Sequence, residues 1–372
     1  MRLVCAREDL QAALQRVGRA VTTRTTLPVL SNVLLTAGAE GAQAAAYDLT
    51  MAIQTQVPAK VLQPGATTVP ARLLQEIISL LPEEEVSLDS AEDTNICTIR
   101  AARTNYRIHG QSAQEFPALP EVSDGEPLQV PQALLREIIR QTEFAAAEEE
   151  TRPIMTGTLL LAEGIHLTFV ATDTYRLAAR TATLETPTKT RIQAVIPTRA
   201  LREVERLSSD TQDPAEIRVA GNHARFDLGE AVVTSSLIEG HFPDHKAVIP
   251  KDYQNRIRVS RAGLEAIIRR AQIVAREDGN KVVLKASEDR MAVQASSPGL
   301  GQFADELPVT LEGGEVVISC NAKYLLDVLA VMREDHADIL LKGPASPGLI
   351  KPADGVEYDY VFMPIALPSE EG

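Results

Sequence analysis

One phrase, repeated six times, limits what this chain can fold into. A short β-branched stretch runs into an amphipathic helix, and about three strand-like runs follow. The helix over Arg7–Val21 shows the pattern: Leu10, Ala13, Leu14, Val17 and Val21 fall at the i, i+3, i+4, i+7 spacing of one buried face. The same grammar predicts helices over Ala71–Leu81, Gln132–Phe144, Thr198–Leu207, Ala262–Arg276 and Asn321–Met332. Each of the last five follows such a stretch: Thr67-Thr-Val-Pro70, Leu128-Gln-Val-Pro131, Ala194-Val-Ile-Pro197, Ile257-Arg-Val-Ser260 and Val316-Val-Ile-Ser319. Two phrases make a unit of about 120 residues, and the unit recurs three times. The links between strands are too short for parallel crossovers, so the sheets are expected to be antiparallel. The expected fold is therefore α+β, three tandem copies of one domain, each two β-α-β-β-β units, over 1–120, 128–250 and 251–372.

Composition narrows the class. An apolar fraction of 44% and a charged fraction of 24% belong to ordinary globular chains. Aromatics are 4% and Trp is absent, so the cores rest on Leu, Ile, Val and Ala. Cys5, Cys97 and Cys320 are too scattered for a disulfide framework or a metal pair and are read as small buried residues. No stretch approaches the ~20 apolar residues that cross a membrane, and residues 1–9 lack a signal core. A cytoplasmic protein with no membrane partner is expected. The net charge of −14 argues against a surface that coats nucleic acid on every side, yet leaves room for one basic face.

Such a face is visible in the pattern. Opposite their apolar stripes the helices carry Arg16 and Arg19, Arg72, Arg136 and Arg140, Arg199, Arg202 and Arg206, Arg269 and Arg270, and Lys323. Arginine is a good helix former on any solvated face, but the same bias on six equivalent helices points to one common surface. That surface would hold phosphate backbones without reading bases.

Signals for catalysis are few. Glycine-rich phosphate loops of the GxGxxG or GxxxxGK[ST] kind do not occur. His241 and His245 are separated by Phe242-Pro243, which spoils a shared helical face for a metal. No cofactor and no metal are expected. The stretch Phe169-Val-Ala-Thr-Asp-Thr-Tyr-Arg-Leu-Ala178 has a weaker echo at Ala44-Ala-Ala-Tyr-Asp-Leu-Thr-Met-Ala-Ile53. Asp48 and Asp173 thus sit in repeated turns, where Asp is a turn former before it is a catalyst. The third echo, around Met291–Ser297, is largely lost. Near the middle turn, Phe242-Pro243…Val248 and Val361-Phe-Met-Pro-Ile-Ala-Leu367 combine proline with Met and β-branched residues. That mixture suits either an adaptable peptide groove or plain strand-end packing.

In these residues the chain resembles the bacterial DNA polymerase III beta subunit family, the sliding clamps. The resemblance runs through Thr26-Leu-Pro-Val-Leu-Ser-Asn-Val-Leu-Leu35, Pro64-Gly-Ala-Thr-Thr-Val-Pro-Ala-Arg72, Thr151-Arg-Pro-Ile-Met-Thr-Gly157, Ala171–Ala178, Phe242-Pro-Asp244, Tyr324-Leu-Leu-Asp-Val-Leu329 and Tyr360–Leu367. It covers essentially the whole length and implies a DNA-clamp fold that closes as a ring, a head-to-tail homodimer around double-stranded DNA, without catalysis. The implied seam lies near Tyr106 on one side and Ile273-Val274 on the other. It further implies that the replicative polymerase, the clamp loader and repair proteins dock by short peptides. The implied groove is Met155, Thr172, Thr174, Tyr175, Arg176, Leu177, Pro243, Val248, Val361, Met363, Pro364, Ile365 and Leu367, and the implied DNA contacts are Arg24 and Arg72.

Two departures stand out. The turn that is commonly Gly-His in the family is Thr174-Tyr175 here, and Ala366 replaces a basic residue, with Pro368–Gly372 following. The loop Glu148-Glu149-Glu150 is not assigned to DNA, because clustered carboxylates repel phosphate. A metal-dependent enzyme built on those acidic loops, and an oligomeric scaffold unrelated to DNA, are the competing readings.

Overall fold

The computed structural model describes residues 1–23, 25–82, 85–91, 94–149 and 151–366. Its first copy runs β1 (Arg2–Ala6), α1 (Arg7–Val17), β2 (Asn32–Gly38), β3 (Gly41–Tyr47), β4 (Met51–Val57), β5 (Ala59–Gln63), β6 (Gly65–Pro70), α2 (Ala71–Leu80), β7 (Glu85–Ala91), β8 (Ile96–Ala101) and β9 (Thr104–His109). The second runs β10 (Leu128–Pro131), α3 (Gln132–Thr142), β11 (Gly157–Glu163), β12 (His166–Thr172), β13 (Arg176–Thr183), β14 (Ile192–Pro197), α4 (Thr198–Leu207), β15 (Pro214–Ala220), β16 (His223–Asp227) and β17 (Ala231–Ser236). The third runs β18 (Asn255–Ser260), α5 (Arg261–Ala275), β19 (Lys281–Ser287), β20 (Arg290–Ser297), β21 (Gly301–Glu312), β22 (Val316–Asn321), α6 (Ala322–Val331), β23 (His336–Leu341), β24 (Gly348–Pro352) and β25 (Glu357–Phe362).

The β-α-β-β-β phrase therefore recurs six times, with β5 as the one added strand. At all six starts the strand passes into the helix without an intervening residue. Pro70, Pro131 and Pro197 close three of these strands, where a missing N–H costs nothing to the helix that follows. Ser260 and Asn321 cap α5 and α6 by accepting from the N–H groups of Gly263 and Lys323.

The pairing is antiparallel throughout and exchanges partners within each copy. β6 joins β2-β3-β4, β14 joins β11-β12-β13, and β22 joins β19-β20-β21. Two further ladders cross the repeat boundaries: β4 pairs with β17, and β13 pairs with β25. The molecule accordingly falls into two compact units, each discontinuous in sequence. One comprises residues 1–136 and 199–237, the other 137–198 and 238–372. The first holds the sheets β5-β1-β7-β8-β9 and β10-β15-β16-β17-β4-β3-β2-β6. The second holds the twelve-stranded sheet β14-β11-β12-β13-β25-β24-β23-β18-β21-β20-β19-β22. The sequence repeat conceals this exchange, because periodicity reports elements and not their neighbours.

Each unit buries helices against its sheets. Leu10, Ala13, Leu14 and Val17 of α1 are fully enclosed, as are Leu264, Ile267, Ile268, Ala271 and Ala275 of α5. Helix starts and ends read from spacing agree with the structure to within about four residues. Residues 18–20 and 143–145 tighten into single 3-10 turns where the sequence reading continues the helices. Residues 28–31 form another 3-10 turn with Pro28 at its first position. The sequence reading names neither β5 nor the twelve-residue β21. In β21 Pro308 marks the change of partner, from β20 before it to β18 after it. The three cysteines are buried and burial pushes their thiols up to about 12, as expected of inert core residues. Among the described residues no helix is long and apolar enough to cross a membrane.

Candidate functional site

The repeated turn is built alike in both copies that retain it. Between β3 and β4, the N–H of Asp48 donates to Met51 O (3.2 Å), and Asp48 Oδ1 accepts from the N–H groups of Thr50 (2.9 Å) and Met51 (2.8 Å). Between β12 and β13, the N–H of Asp173 donates to Arg176 O (3.3 Å), and Asp173 Oδ1 accepts from Tyr175 and Arg176 N–H, both at 2.9 Å. Each aspartate is thus spent on closing its own turn, as the sequence reading holds. Burial by itself would raise the Asp48 carboxyl. The hydrogen bonds from Thr50 and Met51 and the Arg199 guanidinium outweigh it and hold Asp48 below the usual carboxylate range. In the third copy Ser297 takes the aspartate's place and accepts only from Gly299 N–H, at 3.3 Å.

The residue after each aspartate has a left-handed backbone, φ 75° at Leu49 and 80° at Thr174. Glycine adopts that conformation freely, whereas a β-branched residue is strained by it. Thr174→Gly is therefore expected to stabilise the fold by about 1 kcal/mol. Chemical denaturation checks this; a loss of stability would show that contacts of the threonine side chain outweigh the backbone strain.

Around the middle turn the structure gathers most of the expected groove. Leu177 on β13 lies opposite Val361 on β25, and both are buried in one cluster with Phe242, Leu159, Val170 and Val195. Phe242 anchors the segment that carries Pro243 and Val248. Beyond β25 the chain continues alongside the turn: Met363 N–H donates to Tyr175 O at 2.8 Å, and Ile365 N–H to Ser319 O at 2.8 Å. Above this buried floor, Tyr175 (63%), Val248 (44%) and Met363 (39%) present apolar surface to solvent. Thr172 is buried, with its hydroxyl donating to Arg176 O at 2.7 Å. Thr174 is exposed; Pro243, Pro364 and Ile365 are half-buried.

The expected set does not share one cavity. Met155, Thr174, Tyr175 and Arg176 line a space of about 490 Å³ together with Ala146, Glu148, Glu149, Arg152, Lys323 and Tyr324. Pro243 borders a different space of about 460 Å³ with Leu159, Leu161 and His241. Arg176 also differs in kind from its neighbours, because its guanidinium is buried and bonded within the protein. Leu367 and Arg24 lie outside the described residues.

The basic faces are less free than their sequence suggests. Arg16 pairs with Glu230, Arg199 with Asp48, Arg206 with Glu203, Arg269 with Glu265, Arg270 with Asp305 and Lys323 with Asp327. Several of these partners are distant in sequence, which is why spacing alone could not foresee them. Arg72 on α2 is exposed and has no ion-pair partner among the described residues.

The two seam segments are also accessible. Tyr106 is 38% exposed on β9, Ile273 is 65% exposed on α5, and Val274 is half-buried. Each neighbours a free sheet edge. β9 ends its sheet, and residues 301–308 of β21 are paired only with β20. The β21 edge is a feature that sequence reasoning missed. The alternation Phe303, Asp305, Leu307, Val309 was its available signal, interrupted by Pro308.

Among the described residues no group of three or more His, Cys, Asp or Glu is arranged to hold a metal. Glu148 and Glu149 are exposed on a loop closed by Ala147 N–H donating to Met155 O (2.9 Å); Glu150 lies outside the described residues.

Comparison with known proteins agrees over the full length. Residues 1–120, 129–244 and 246–366 match the N-terminal, central and C-terminal domains of the DNA polymerase III beta subunit. The beta sliding clamp of Synechocystis sp. is 33% identical over 99% of this chain and 100% of its own; that of Bacillus subtilis is 29% identical over 98% and 99%. Among solved structures, the DNA polymerase sliding clamp from Bacillus subtilis superposes with a TM-score of 0.95 at 29% identity, and the DNA polymerase III subunit beta from Pseudomonas aeruginosa with 0.92 at 31%. Each covers 99% of this chain and 100% of its own.

Proposed function

The chain belongs to the DNA polymerase III beta subunit family, the beta sliding clamps, and from that premise we propose that two copies close head to tail into a ring around duplex DNA. It is a processivity factor of DNA replication, a non-catalytic accessory subunit that binds DNA, the polymerase and other proteins. The observation that carries this is the match over the whole chain, with all three family domains present in order. The domains of the ring are residues 1–120, 128–250 and 251–372, and the place of work is the cytoplasm.

The strand pairing supports the head-to-tail closure. In both junctions within the chain, the last strand of one copy's first phrase pairs with the last strand of the next copy's second phrase: β4 with β17, β13 with β25. Continuing the rule, β21 of the third copy requires the last strand of a following copy's second phrase. The strand that answers is β9 of a second molecule. Both edges are unpaired, which is a standing invitation to add a strand. β9 carries Arg107 and the exposed Tyr106, and β21 carries Asp305 and Glu306, whose carboxylates also serve Arg270 and Arg290. Leu80, 75% exposed on α2, adds apolar surface that has no occupant within its own unit.

The groove beside Tyr175 receives short peptides. Thr172, Thr174, Tyr175, Leu177, Val361 and Met363 form its centre; Met155, Pro243, Val248, Pro364, Ile365 and Leu367 extend it, and Arg176 shapes it from within. Arg24 and Arg72 contact phosphate, and the neutralised helix faces let the duplex slide instead of gripping it. Tethering then works through effective concentration, since a polymerase held near its template rebinds without diffusing away.

Loaded on nicked circular DNA, the protein is expected to stay bound through a wash at ~1 M salt, where contacts between exposed charges are screened within about 3 Å. Linearising the circle releases it. Equal loss from circles and linear molecules as salt rises would refute encirclement and leave ordinary electrostatic binding.

A further inference from the structure

The guanidinium of Arg176 is enclosed on every side. Nε donates to Asp173 Oδ2 at 3.0 Å, one terminal nitrogen to Phe144 O at 2.8 Å, and the other to Asp327 Oδ2 on α6. The ring of Tyr324, also on α6, lies 4.5 Å from the guanidinium carbon, and that of Phe144 5.5 Å from it. Only 7% of the residue is exposed, so it offers a docked peptide almost no surface.

We propose that Asp327, on the last helix of the chain, is a positioning residue of the docking groove: it holds Arg176, and through Arg176 the turn that carries Thr174 and Tyr175. The proposal rests on the docking reading above. A planar, permanently charged fork buried this deeply requires a partner for each edge, and removing one leaves charge uncompensated. Movement of the side chain reaches the turn directly, because the Arg176 main chain closes it. Its N–H donates to Asp173 Oδ1, and its carbonyl accepts from Asp173 N–H and the Thr172 hydroxyl. The preceding carbonyl, Tyr175 O, receives Met363 N–H, so one strap joins α6 to both walls of the groove. The left-handed backbone at Thr174 (φ 80°) persists only while its surroundings over-determine it. The equivalent turn in the first copy lacks the strap: the position of Arg176 is held there by Met51, buried in the core. Lys323 Nζ, on the exposed side of α6, donates to the same Asp327 oxygen at 2.9 Å.

The test uses the full chain and a fluorescein-labelled synthetic octapeptide with Leu and Phe anchors, read by anisotropy. Asp327→Asn is expected to weaken peptide binding about tenfold, about 1.4 kcal/mol, and to speed hydrogen exchange at residues 173–176. Asp327→Glu, which keeps the charge, recovers most of the affinity, and Lys342→Met, which removes the partner of Asp252, leaves it unchanged. Arg176→Met produces a loss similar to that of Asp327→Asn, and the double variant binds no worse than either single one, as expected when two residues act through one contact. Should Asp327→Asn fail to fold, Tyr324→Leu replaces it, with a loss of about fivefold expected from removing the stacked ring. Affinity of Asp327→Asn within twofold of the unaltered protein, or losses that simply add in the double variant, would overturn the strap. No binding by the unaltered protein would instead overturn the groove itself, and the strap with it.

Discussion

Ile273→Glu is expected to convert the dimeric particle into monomers of 40.3 kDa and to abolish retention on circular DNA. The residue is 65% exposed on α5, so its replacement should leave the monomer's own core intact. In the proposed ring, however, it sits beside the β9–β21 junction opposite Tyr106 of the second copy. A carboxylate there loses its water and gains no partner, a penalty of several kcal/mol. Each ~1.4 kcal/mol is a factor of ten, so the dimer dissociation constant should rise at least about 100-fold. Sedimentation at micromolar concentration and the salt-wash retention assay provide the two readouts. A variant that remains dimeric would place the seam elsewhere and remove the β9–β21 pairing from the proposal.

Met363→Asp is the complementary case. The side chain is 39% exposed, and its N–H binds Tyr175 O across the groove. An apolar peptide anchor entering beside Leu177 and Val361 would have to strip water from the new carboxylate without pairing it. Central apolar anchors contribute up to a few kcal/mol each, so binding should fall by about 100-fold or more. Retention on circular DNA should not change. The two variants thus separate the activities: Ile273→Glu keeps the groove and loses the ring, and Met363→Asp keeps the ring and loses the groove. Peptide affinity within threefold of the unaltered protein would remove Met363 from the site.

The parts legible in the sequence are those set by local physics. Helix spacing at 3.6 residues located the six helices of the described residues, and short β-branched runs located the strands that lead into them, because side chains a few positions apart share one face of a helix or strand. The αL turn after Asp48 and Asp173 was legible as a repeat for the same reason: each aspartate bonds N–H groups two and three residues ahead. The groove's residues could be listed from the resemblance, yet their division of labour could not. Nothing near Arg176 in sequence distinguishes it from Leu177. Its burial is decided by Phe144, Tyr324 and Asp327, the last 151 positions away. The helix arginines tell the same story, since Arg16 answers to Glu230 and Arg199 to Asp48.

By itself, then, the sequence determined a threefold repeat of paired β-α-β-β-β phrases, the family, and the segments that meet at the site. Tertiary structure alone decided which edges pair between the tandem repeats, which charges are already neutralised, and which carboxylates hold the Arg176 guanidinium. The reason is that periodicity records contacts made within one or two turns of chain. Ladders such as β13–β25, and the strap from Asp327 to Arg176, join residues whose separation in sequence carries no pattern, and only folding sets them side by side.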